Sequence, residues 1–317
     1  MHIIDQILDF VKDEEFIYIQ THNFPDHDAV ASAFGLQYIF NELGKKALCI
    51  YEGDVQRDSL QQMIDELNIE ITHNEDHLLT EDHKIIIVDG CKGNKNVTDL
   101  IGDEIAVIDH HEVSTPDDVP FSDIRSNYGA CSSIIFKYFK DYKLSIPQNI
   151  ATALMIGINM DTALLTRGVS EEDIQAYAEL YTISNIRLQN SILRNYIQTK
   201  DLNFYRYAID NVIIKNEIAF CYFPKGCNQN LMGILGDFFL ALEEVDFVIL
   251  CALNESKINF SLRNEAPQWN ASMVIQEVLK GIGFGGGHGD MAGGIIKDVN
   301  LFDENIIFEK FYRFLKK

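Results

Sequence analysis

The chain has 317 residues, of which 47% are apolar and 11% aromatic, so we expect ordered domains with a sizeable hydrophobic core. Its 26 basic and 48 acidic residues give a formal net charge of −22, which argues against a surface for long duplex nucleic acid. No apolar stretch reaches the length of about 18 residues that a membrane span needs. The N-terminal stretch MHIIDQILDFVKDEE lacks the basic flank of a signal peptide. We therefore expect a cytoplasmic protein without a membrane partner.

The N-terminal half alternates predicted strands and helices. In chain order they are strand FIYIQTH, helix DAVASAFGLQYIFNELG, strand KKALCIY, helix VQRDSLQQMIDELN, strand KIIIVDG and strand EIAVIDHHE, with helices following near 128–142, 147–160 and 170–183. Continuous apolar runs bounded by turns are typical of a parallel sheet that is covered on both faces. The pattern predicts an α/β domain with a doubly wound, mainly parallel sheet over residues 1–185.

Residues 186–205 are predicted to be a linker helix, and a smaller domain is predicted over residues 206–317. Its elements are strands AIDNVIIK and EIAFCYF, helix LMGILGDFFLALEEV, strands DFVILCALN and KINFSLRNE, helix ASMVIQEVLKGIG, a glycine-rich turn, strand AGGIIKDV and a last helix. Paired strands interrupted by helices are typical of an α+β domain.

The six cysteines are scattered along the chain, and no two of them form a Cys-x-x-Cys pair. Zinc fingers and thioredoxin-like redox sites are built on such pairs. We therefore expect six free thiols that are buried and behave as small hydrophobic side chains.

Ionisable side chains collect at the ends of the predicted strands and of one helix. They are His22, Asp26 and Asp28 after the first strand, Asp89 after the third, Asp109, His110 and His111 at the end of the fourth, and Asp161 after the helical run ATALMIGINM. Ligands bind outside the carboxyl ends of the strands in open parallel sheets. We therefore expect these separate segments to meet at one edge of the sheet.

So many carboxylates without paired arginines would repel one another unless cations bind between them. One divalent ion would leave several carboxylates unpaired, whereas two ions that share a bridging carboxylate would satisfy the set. Oxygen and imidazole ligands without cysteine indicate Mn²⁺, Mg²⁺ or a similar ion rather than structural zinc. Two such ions about 4 Å apart suit phosphoryl hydrolysis by a hydroxide that the metals activate.

Simpler roles remain open for single residues at this stage. An aspartate after a strand is often a helix N-cap, and Asp28 can take that role. His27 is expected to be a solvated spacer between the two aspartates. His73, His77 and His83 lie in the polar stretch THNEDHLLTEDHK and are likewise expected to be solvated.

The motifs HNFPDHDAVAS, VDG and DHH, followed by the distant Asp161, resemble the metal-binding motifs of the DHH phosphoesterase family. The C-terminal SLRNE and GFGGGHGDMAGG resemble the DHH-associated substrate-binding domain of the nanoRNase-like branch of that family. The resemblance covers essentially the whole chain. It implies a DHH catalytic domain over residues 1–185 and a DHH-associated domain over residues 206–317.

The resemblance also implies a role for each residue of the strand-end set. One ion would be held by His22, Asp26 and Asp89, and the other by Asp28, Asp89, His110 and Asp161. Asp89 would therefore bridge the two ions. His111 would contact the scissile phosphate, and Asp109 would orient a histidine, as metal-bound imidazoles usually require.

The glycine-rich turn of the second domain is a candidate substrate site. Gly285, Gly286 and Gly287 precede His288, and consecutive glycines allow backbone N–H groups to approach an anion closely. The resemblance implies that this turn holds the non-scissile end of a nucleotide. Phe284 stands where the family often has a further glycine, which leaves the base preference open.

Two arginines are further substrate-binding candidates. Arg263, at the end of a predicted strand, suits bidentate contact with a phosphate, and the resemblance implies this role for it. An ion pair between Arg263 and the nearby Glu265 is the alternative. Arg125, in DIRSNYG, is a candidate from the first domain.

The residues and the resemblance together predict a metal-dependent phosphodiesterase or phosphatase that hydrolyses short nucleotides. Candidate substrates are RNA of a few nucleotides, linear or cyclic dinucleotides, and 3′-phosphoadenosine 5′-phosphate. Short substrates suit the acidic surface, because few phosphates have to approach it. Inorganic pyrophosphatase activity and a nucleotide-binding module without turnover are the alternatives. The oligomeric state stays open, a homodimer included.

Overall fold

The structure is a computed structural model that describes residues 2–114, 116–194 and 197–316. The chain divides into two compact units, residues 1–196 and 197–317, and each unit has its own hydrophobic core. The predicted linker over residues 186–205 includes residues 195 and 196, which lie outside the described part of the chain. The predicted domain boundaries therefore stay predictions.

The first unit is built on a parallel sheet whose six described strands run in the order β3-β2-β1-β4-β5-β6. The strands are β1 (Phe16–Gln20), β2 (Lys46–Tyr51), β3 (Ile71–His73), β4 (Lys84–Val88), β5 (Asp103–Asp109) and β6 (Phe121–Ile124). Because all pairs are parallel, the carboxyl ends of the strands lie along one edge. The predicted α/β class with a mainly parallel sheet is confirmed.

Seven described helices complete the first unit. They are α1 (Ile3–Phe10), α2 (His27–Glu42), α3 (Asp58–Leu67), α4 (Cys131–Asp141), α5 (Gln148–Asp161), α6 (Glu171–Tyr181) and α7 (Ile186–Arg194), with a short 3-10 helix at Asn74–Asp76. Helix α2 is buried on nearly all sides because it packs on the sheet and also against α4 and α5. This position brings its first turn into the interior of the unit.

The second unit contains a mixed sheet whose six described strands run in the order β11-β12-β10-β9-β8-β7. The strands are β7 (Ile213–Lys215), β8 (Ile218–Phe223), β9 (Phe247–Asn254), β10 (Lys257–Asn264), β11 (Phe284–Gly287) and β12 (Met291–Ile296). The described helices are α8 (Leu202–Asn211), α9 (Gln229–Leu240), α10 (Ala271–Val278) and α11 (Glu304–Leu315), with 3-10 turns at Thr199–Asp201 and Val299–Leu301. The predicted smaller α+β domain is confirmed as a fold class.

The structure corrects two predicted elements of the second unit. The stretch AIDNVIIK is not one strand, because its first half completes α8 and only the segment after Val212 pairs with β8. The predicted glycine-rich turn is an edge strand, β11, which is antiparallel to β12. Glycine has a low strand propensity, so the sequence did not indicate this pairing.

Two other expectations concern the whole chain. All six cysteines are free and buried, as predicted. Among the helices that the structure describes, none combines the length and the apolar character that a membrane crossing requires.

Candidate metal centre

The loop after β1 places the first two candidate ligands. Asp26 is the N-cap of α2, because its Oδ1 atom accepts hydrogen bonds from the backbone N–H groups of Asp28 (3.0 Å) and Ala29 (3.1 Å). The cap is therefore Asp26 rather than Asp28. A carboxylate at this position is also favoured by the helix dipole.

Asp28 lies in the first turn of α2 and is fully buried. Its carboxylate accepts hydrogen bonds from the backbone N–H groups of Cys131 (2.6 Å) and Ser132 (2.9 Å), at the start of α4. These donors fix the carboxylate against a second helix N-terminus, where negative charge is stabilised. Gly157 of α5 gives Asp28 the space for this, because a Cβ at Gly157 would lie 2.6 Å from Asp28 Oδ1.

Asp89 follows β4 with a positive backbone φ of 54°, in the left-handed region. Its N–H group donates a hydrogen bond to the carbonyl of Ile108 in β5 (2.9 Å). A non-glycine residue in this region costs of order 1–3 kcal/mol and persists only where the surrounding structure holds it. The backbone is thus constrained at the residue that the sequence predicts to bridge two ions.

The strand-end residues converge as expected from the topology. Three groups have ligand atoms that all lie within 4.8 Å of one another: His22, Asp26 and Asp89; Asp28, His110 and Asp161; and Asp89, His110 and His111. The Nε2 atom of His110 lies 3.3 Å from Asp89 Oδ1 and 3.2 Å from Asp161 Oδ2. Asp89 is common to two of these groups.

The two candidate histidine ligands share one arrangement of hydrogen bonds. The Nδ1 atom of His22 donates to the carbonyl of Asn23 (2.9 Å), and that of His110 donates to the carbonyl of Tyr128 (3.3 Å). Each bond fixes the ring and leaves Nε2 facing the carboxylates, which is the usual geometry of a metal-binding histidine.

Two buried atoms at the centre of the cluster fit cation binding. Asp89 Oδ1 and His110 Nε2 are buried and lie 3.3 Å apart, but within the described residues neither makes a well-aligned hydrogen bond. Buried polar atoms are rarely left unpaired. Four carboxylates and two imidazoles with no cysteine make a donor set that fits hard or borderline divalent ions.

The protonation equilibria of the cluster lead to the same conclusion. Burial would lower the pKa of His22, but the carboxylates of Asp26 and Asp89 raise it to about 10. Burial raises the pKa of Asp161 to about 6, with help from the charge of Asp26. Without cations, the cluster therefore retains protons at neutral pH, and bound metal ions would displace them.

His111 and Asp109 form a separate pair beside the cluster. The Nδ1 atom of His111 lies 2.7 Å from Asp109 Oδ1, and this hydrogen bond raises the pKa of His111. Asp109 also accepts hydrogen bonds from the backbone N–H groups of His110 (2.8 Å) and His111 (3.2 Å). Asp109 thus orients His111, whose ring is partly exposed.

The expectation that His27 is solvated is wrong. Its side chain is fully buried, and Nε2 lies 3.1 Å from the Oγ atom of Ser59 at the start of α3. His77 and His83 are also not simply solvated, because both rings pack against Tyr18. The sequence around these histidines is polar, so it gave no sign that their rings pack on side chains of β1.

Arg125 lies directly after β6, and its guanidinium already has a partner. It makes two hydrogen bonds to the carboxylate of Asp123 (2.8 and 2.7 Å) and donates to the hydroxyl of Tyr128 (3.1 Å). Its backbone N–H group donates to the carbonyl of Asp109 (2.9 Å). These contacts hold the guanidinium against other parts of the first unit.

In the second unit, the Arg263 side chain lies against α9. Its Nε atom donates to Asp237 Oδ1 (2.7 Å), so the ion pair is made with Asp237 rather than with Glu265. A Cβ atom at residue 233 would lie only 2.7 Å from Arg263 Nη2. The guanidinium therefore fits here because residue 233 is glycine.

Two paired glycines lie on the sheet next to Arg263. Strand pairing places Gly286 opposite Gly293, which in turn lies opposite Ser261, two residues before Arg263. A Cβ at Gly286 would meet no atom within 4 Å, so this surface is open. Gly285 and Gly287 flank this position in β11. The imidazole of His288, which follows, is exposed.

Two residues with consequences for the site were not singled out from the sequence. One is Gly157, and an isolated glycine in the apolar helix ATALMIGINM was the signal for a close approach. The other is Asp173, which is fully buried and accepts hydrogen bonds from Gly129 N–H (2.7 Å) and from the Ser133 hydroxyl. Asp173 thereby holds the segment that carries the Tyr128 carbonyl. In the sequence, Ser170 and Asp173 form the pattern of a capping box, which indicated only the start of a helix.

Comparisons with known proteins agree with this fold. Residues 16–158 match the DHH family N-terminal domain, and residues 215–317 match the DHHA1 domain. A crystal structure of an exopolyphosphatase-related protein from Bacteroides fragilis superposes with a TM-score of 0.80 at 18% identity, over 99% of this chain and 95% of that chain.

Two curated relatives are similar in sequence. An uncharacterized protein of Methanocaldococcus jannaschii is 29% identical over 86% of this chain and 56% of its own length. A probable manganese-dependent inorganic pyrophosphatase of Enterococcus faecalis is 30% identical over 55% of this chain and 57% of its own length. The chain thus spans little more than half the length of these relatives. From these two matches, the chain contains a DHH family N-terminal domain and a DHHA1 domain.

Proposed function

We propose that this protein is a metal-dependent phosphoesterase that hydrolyses short nucleotides. The observation that carries the proposal is the cluster of ligand atoms from His22, Asp26, Asp28, Asp89, His110 and Asp161 at one edge of the sheet. Two buried atoms of the cluster, Asp89 Oδ1 and His110 Nε2, make no well-aligned hydrogen bond within the described residues, which supports a role in binding cations.

Two divalent ions fit this donor set, one at His22, Asp26 and Asp89 and the other at Asp28, Asp89, His110 and Asp161. Mn²⁺ is the first choice, since a curated relative is described as a manganese-dependent enzyme, and Mg²⁺ is the alternative. Such ions lower the pKa of bound water and stabilise negative charge on a phosphoryl group. In this proposal Asp89 is shared, because its carboxylate belongs to the group around His22 and also approaches His110.

The residues around the cluster have distinct tasks in this reaction. The N-terminus of α4 holds the Asp28 carboxylate, so a side chain that would hold one ion is in place before substrate binds. The hydrogen bond from Nδ1 to Asp109 raises the pKa of His111, which favours a ring that also carries a proton on Nε2. That proton can be donated to a phosphoryl oxygen or to the leaving oxygen, which assigns His111 a catalytic role.

Substrate binding is proposed for both units. In the second unit, Arg263 and His288 would contact a terminal phosphate, and the open backbone at Gly285, Gly286 and Gly287 would admit a nucleotide close to the sheet. Arg125 is a weaker candidate than Arg263, because Asp123 engages two of its guanidinium nitrogens. Cytoplasmic localisation and a homodimer stay predictions from the sequence.

A substrate panel tests the proposal directly. Linear and cyclic dinucleotides, RNA of a few nucleotides, 3′-phosphoadenosine 5′-phosphate and pyrophosphate are each incubated with the protein and Mn²⁺ or Mg²⁺. We expect hydrolysis of at least one nucleotide and loss of that activity with a chelator. Metal-independent hydrolysis, or no product from any substrate, would contradict the proposal.

Inorganic pyrophosphatase activity is the second candidate, since the relative from Enterococcus faecalis is a probable pyrophosphatase. The DHHA1 match over residues 215–317 and the open glycine face of β11 and β12 favour a larger substrate than pyrophosphate. Phosphate release from pyrophosphate alone would reverse this choice. Tight nucleotide binding without turnover would instead indicate a binding module.

A further inference from the structure

Phe24 is an unusual residue in the loop that carries the metal-ligand candidates. It lies midway between His22 and Asp26, and its backbone φ is 53°, in the left-handed region. A bulky side chain with positive φ is a genuine outlier that the surrounding structure has to hold. Despite this cost, Phe24 is 49% exposed, so hydrophobic burial offsets only part of the strain.

Specific contacts fix this conformation. The N–H group of Phe24 donates to the carbonyl of Glu52 (2.8 Å), and that of Asn23 donates to the carbonyl of Asn96 (2.6 Å). The side chain of Asn23 is also bound on both sides by Thr98 (2.9 and 3.0 Å). The loop is therefore anchored to two neighbouring segments.

The ring of Phe24 rests on Gly53, just after β2. A Cβ at Gly53 would lie 2.7 Å from two ring atoms, so the ring takes this position only because residue 53 is glycine. One side of the ring thus lies on backbone, and half of its area remains open to solvent. A preformed, exposed aromatic surface of this kind is what proteins use to stack nucleic-acid bases.

Arg57 is exposed, lies four residues after Gly53 and is the N-cap residue of α3. Its positive charge would attract an anionic substrate to this part of the first unit.

We propose that Phe24 determines substrate specificity by stacking on the nucleobase next to the scissile phosphate. The inference rests on the proposed function, because it needs a nucleotide at the cluster. Two residues span at most about 7 Å of chain, so the Cα atom of Phe24 lies within about that distance of the Cα atoms of His22 and Asp26.

The test compares substrates with and without a base. We expect Phe24→Ala and Phe24→Gly to lower kcat/KM for a linear dinucleotide about tenfold or more, and to leave an abasic dinucleotide unchanged. Phe24→Gly keeps the loop conformation, since glycine tolerates positive φ, so it removes the ring alone. Phe24→Trp should retain the preference for the base.

Phe10 provides a matched control, because it is 50% exposed, lies in the same unit and packs against Phe121 at the opposite end of the strands. Phe10→Ala should leave kcat/KM unchanged for both dinucleotides. Gly53→Ala should reproduce the defect of Phe24→Ala by displacing the ring. Equal losses on both dinucleotides, or no loss on either, would overturn the inference.

A binding experiment separates this inference from the proposed function. The affinities of the Mn²⁺-loaded variants for 5′-AMP and for ribose 5-phosphate are compared by calorimetry. If 5′-AMP binds more tightly than ribose 5-phosphate in the wild type but not in Phe24→Gly, the role of Phe24 is supported. This holds even if the wild type cleaves no dinucleotide, a result that would refute only the proposed function. An equal gain in wild type and Phe24→Gly refutes the role of Phe24.

Discussion

Gly157 in the first unit and Gly286 in the second unit have opposite surroundings. In the first unit, Gly157 lets protein groups approach each other, and the space above it is filled by Asp28 and Ser132. In the second unit, Gly286 leaves space that nothing fills. The comparison indicates a rigid centre, suited to chemistry that needs fixed charges, and an open surface, suited to holding ligands.

The substitution Asp89→Asn in the rigid centre should have the largest effect on hydrolysis. Asparagine matches the shape of aspartate and tolerates positive φ, so the fold should survive. Loss of the shared negative charge should lower the hydrolysis rate by more than about 10³-fold in the presence of Mn²⁺. Circular dichroism checks the fold, and retained wild-type hydrolysis would show that the cluster is not the active centre.

The substitution Gly157→Ala tests whether Asp28 and Ser132 need the space next to Gly157. The new Cβ would clash with Ser132 Oγ and lie 2.6 Å from Asp28 Oδ1, so Asp28 has to move. We expect Mn²⁺ affinity to fall about 10- to 100-fold, together with about 1–3 kcal/mol of unfolding free energy.

Gly35→Ala is the matched control for this change. The three atoms nearest to its Cβ would be side-chain atoms of Ile135 and Leu154, in the core of the first unit. It should lower the unfolding free energy to a similar degree and leave Mn²⁺ affinity unchanged. Equal losses of Mn²⁺ affinity in both variants would mean that Gly157 acts through general stability alone.

Protons should compete with metal ions for the rigid centre. The pKa of His22 is raised to about 10 in the metal-free protein, so this histidine is protonated at neutral pH and must lose its proton to bind a metal. Apparent Mn²⁺ affinity should therefore rise with pH, up to about tenfold per pH unit for each displaced proton. Calorimetry in two buffers of different ionisation enthalpy measures the released protons, and pH-independent affinity would contradict the assignment.

The open surface should respond least to substitution. Gly286→Ala places a methyl group where no atom lies within 4 Å, so stability should change by less than about 0.5 kcal/mol. KM for a dinucleotide should rise about threefold, because the methyl group narrows the surface. The neighbouring Gly285→Ala should instead destabilise the unit, since its Cβ would lie 2.6 Å from Ile275. An unchanged KM in Gly286→Ala would argue against a substrate on this face.

The position of the ligand candidates could be predicted because a parallel sheet brings strand ends together. His22, Asp89 and His110 are far apart in sequence, yet each follows a buried apolar run, and the topology does the rest. Buried packing was not predictable in the same way. The burial of His27 depends on α3 lying next to the start of α2, and no local pattern encodes that contact.

The glycine-rich segment shows a second limit. Its sequence indicated backbone freedom, and β11 became a strand because β12 supplies the hydrogen bonds. Tertiary pairing thus overrode a low strand propensity. Similarly, the contact of Arg263 with Asp237 depends on α9 crossing β10, which the sequence does not specify.

The most direct test of the central claim is anomalous diffraction at the manganese edge from crystals of the full chain grown with Mn²⁺. The account predicts two peaks, one bounded by His22 and Asp26, the other by Asp28, His110 and Asp161, with the Asp89 carboxylate in contact with both. A single peak, peaks elsewhere in the chain, or two ions that do not share Asp89 would contradict it.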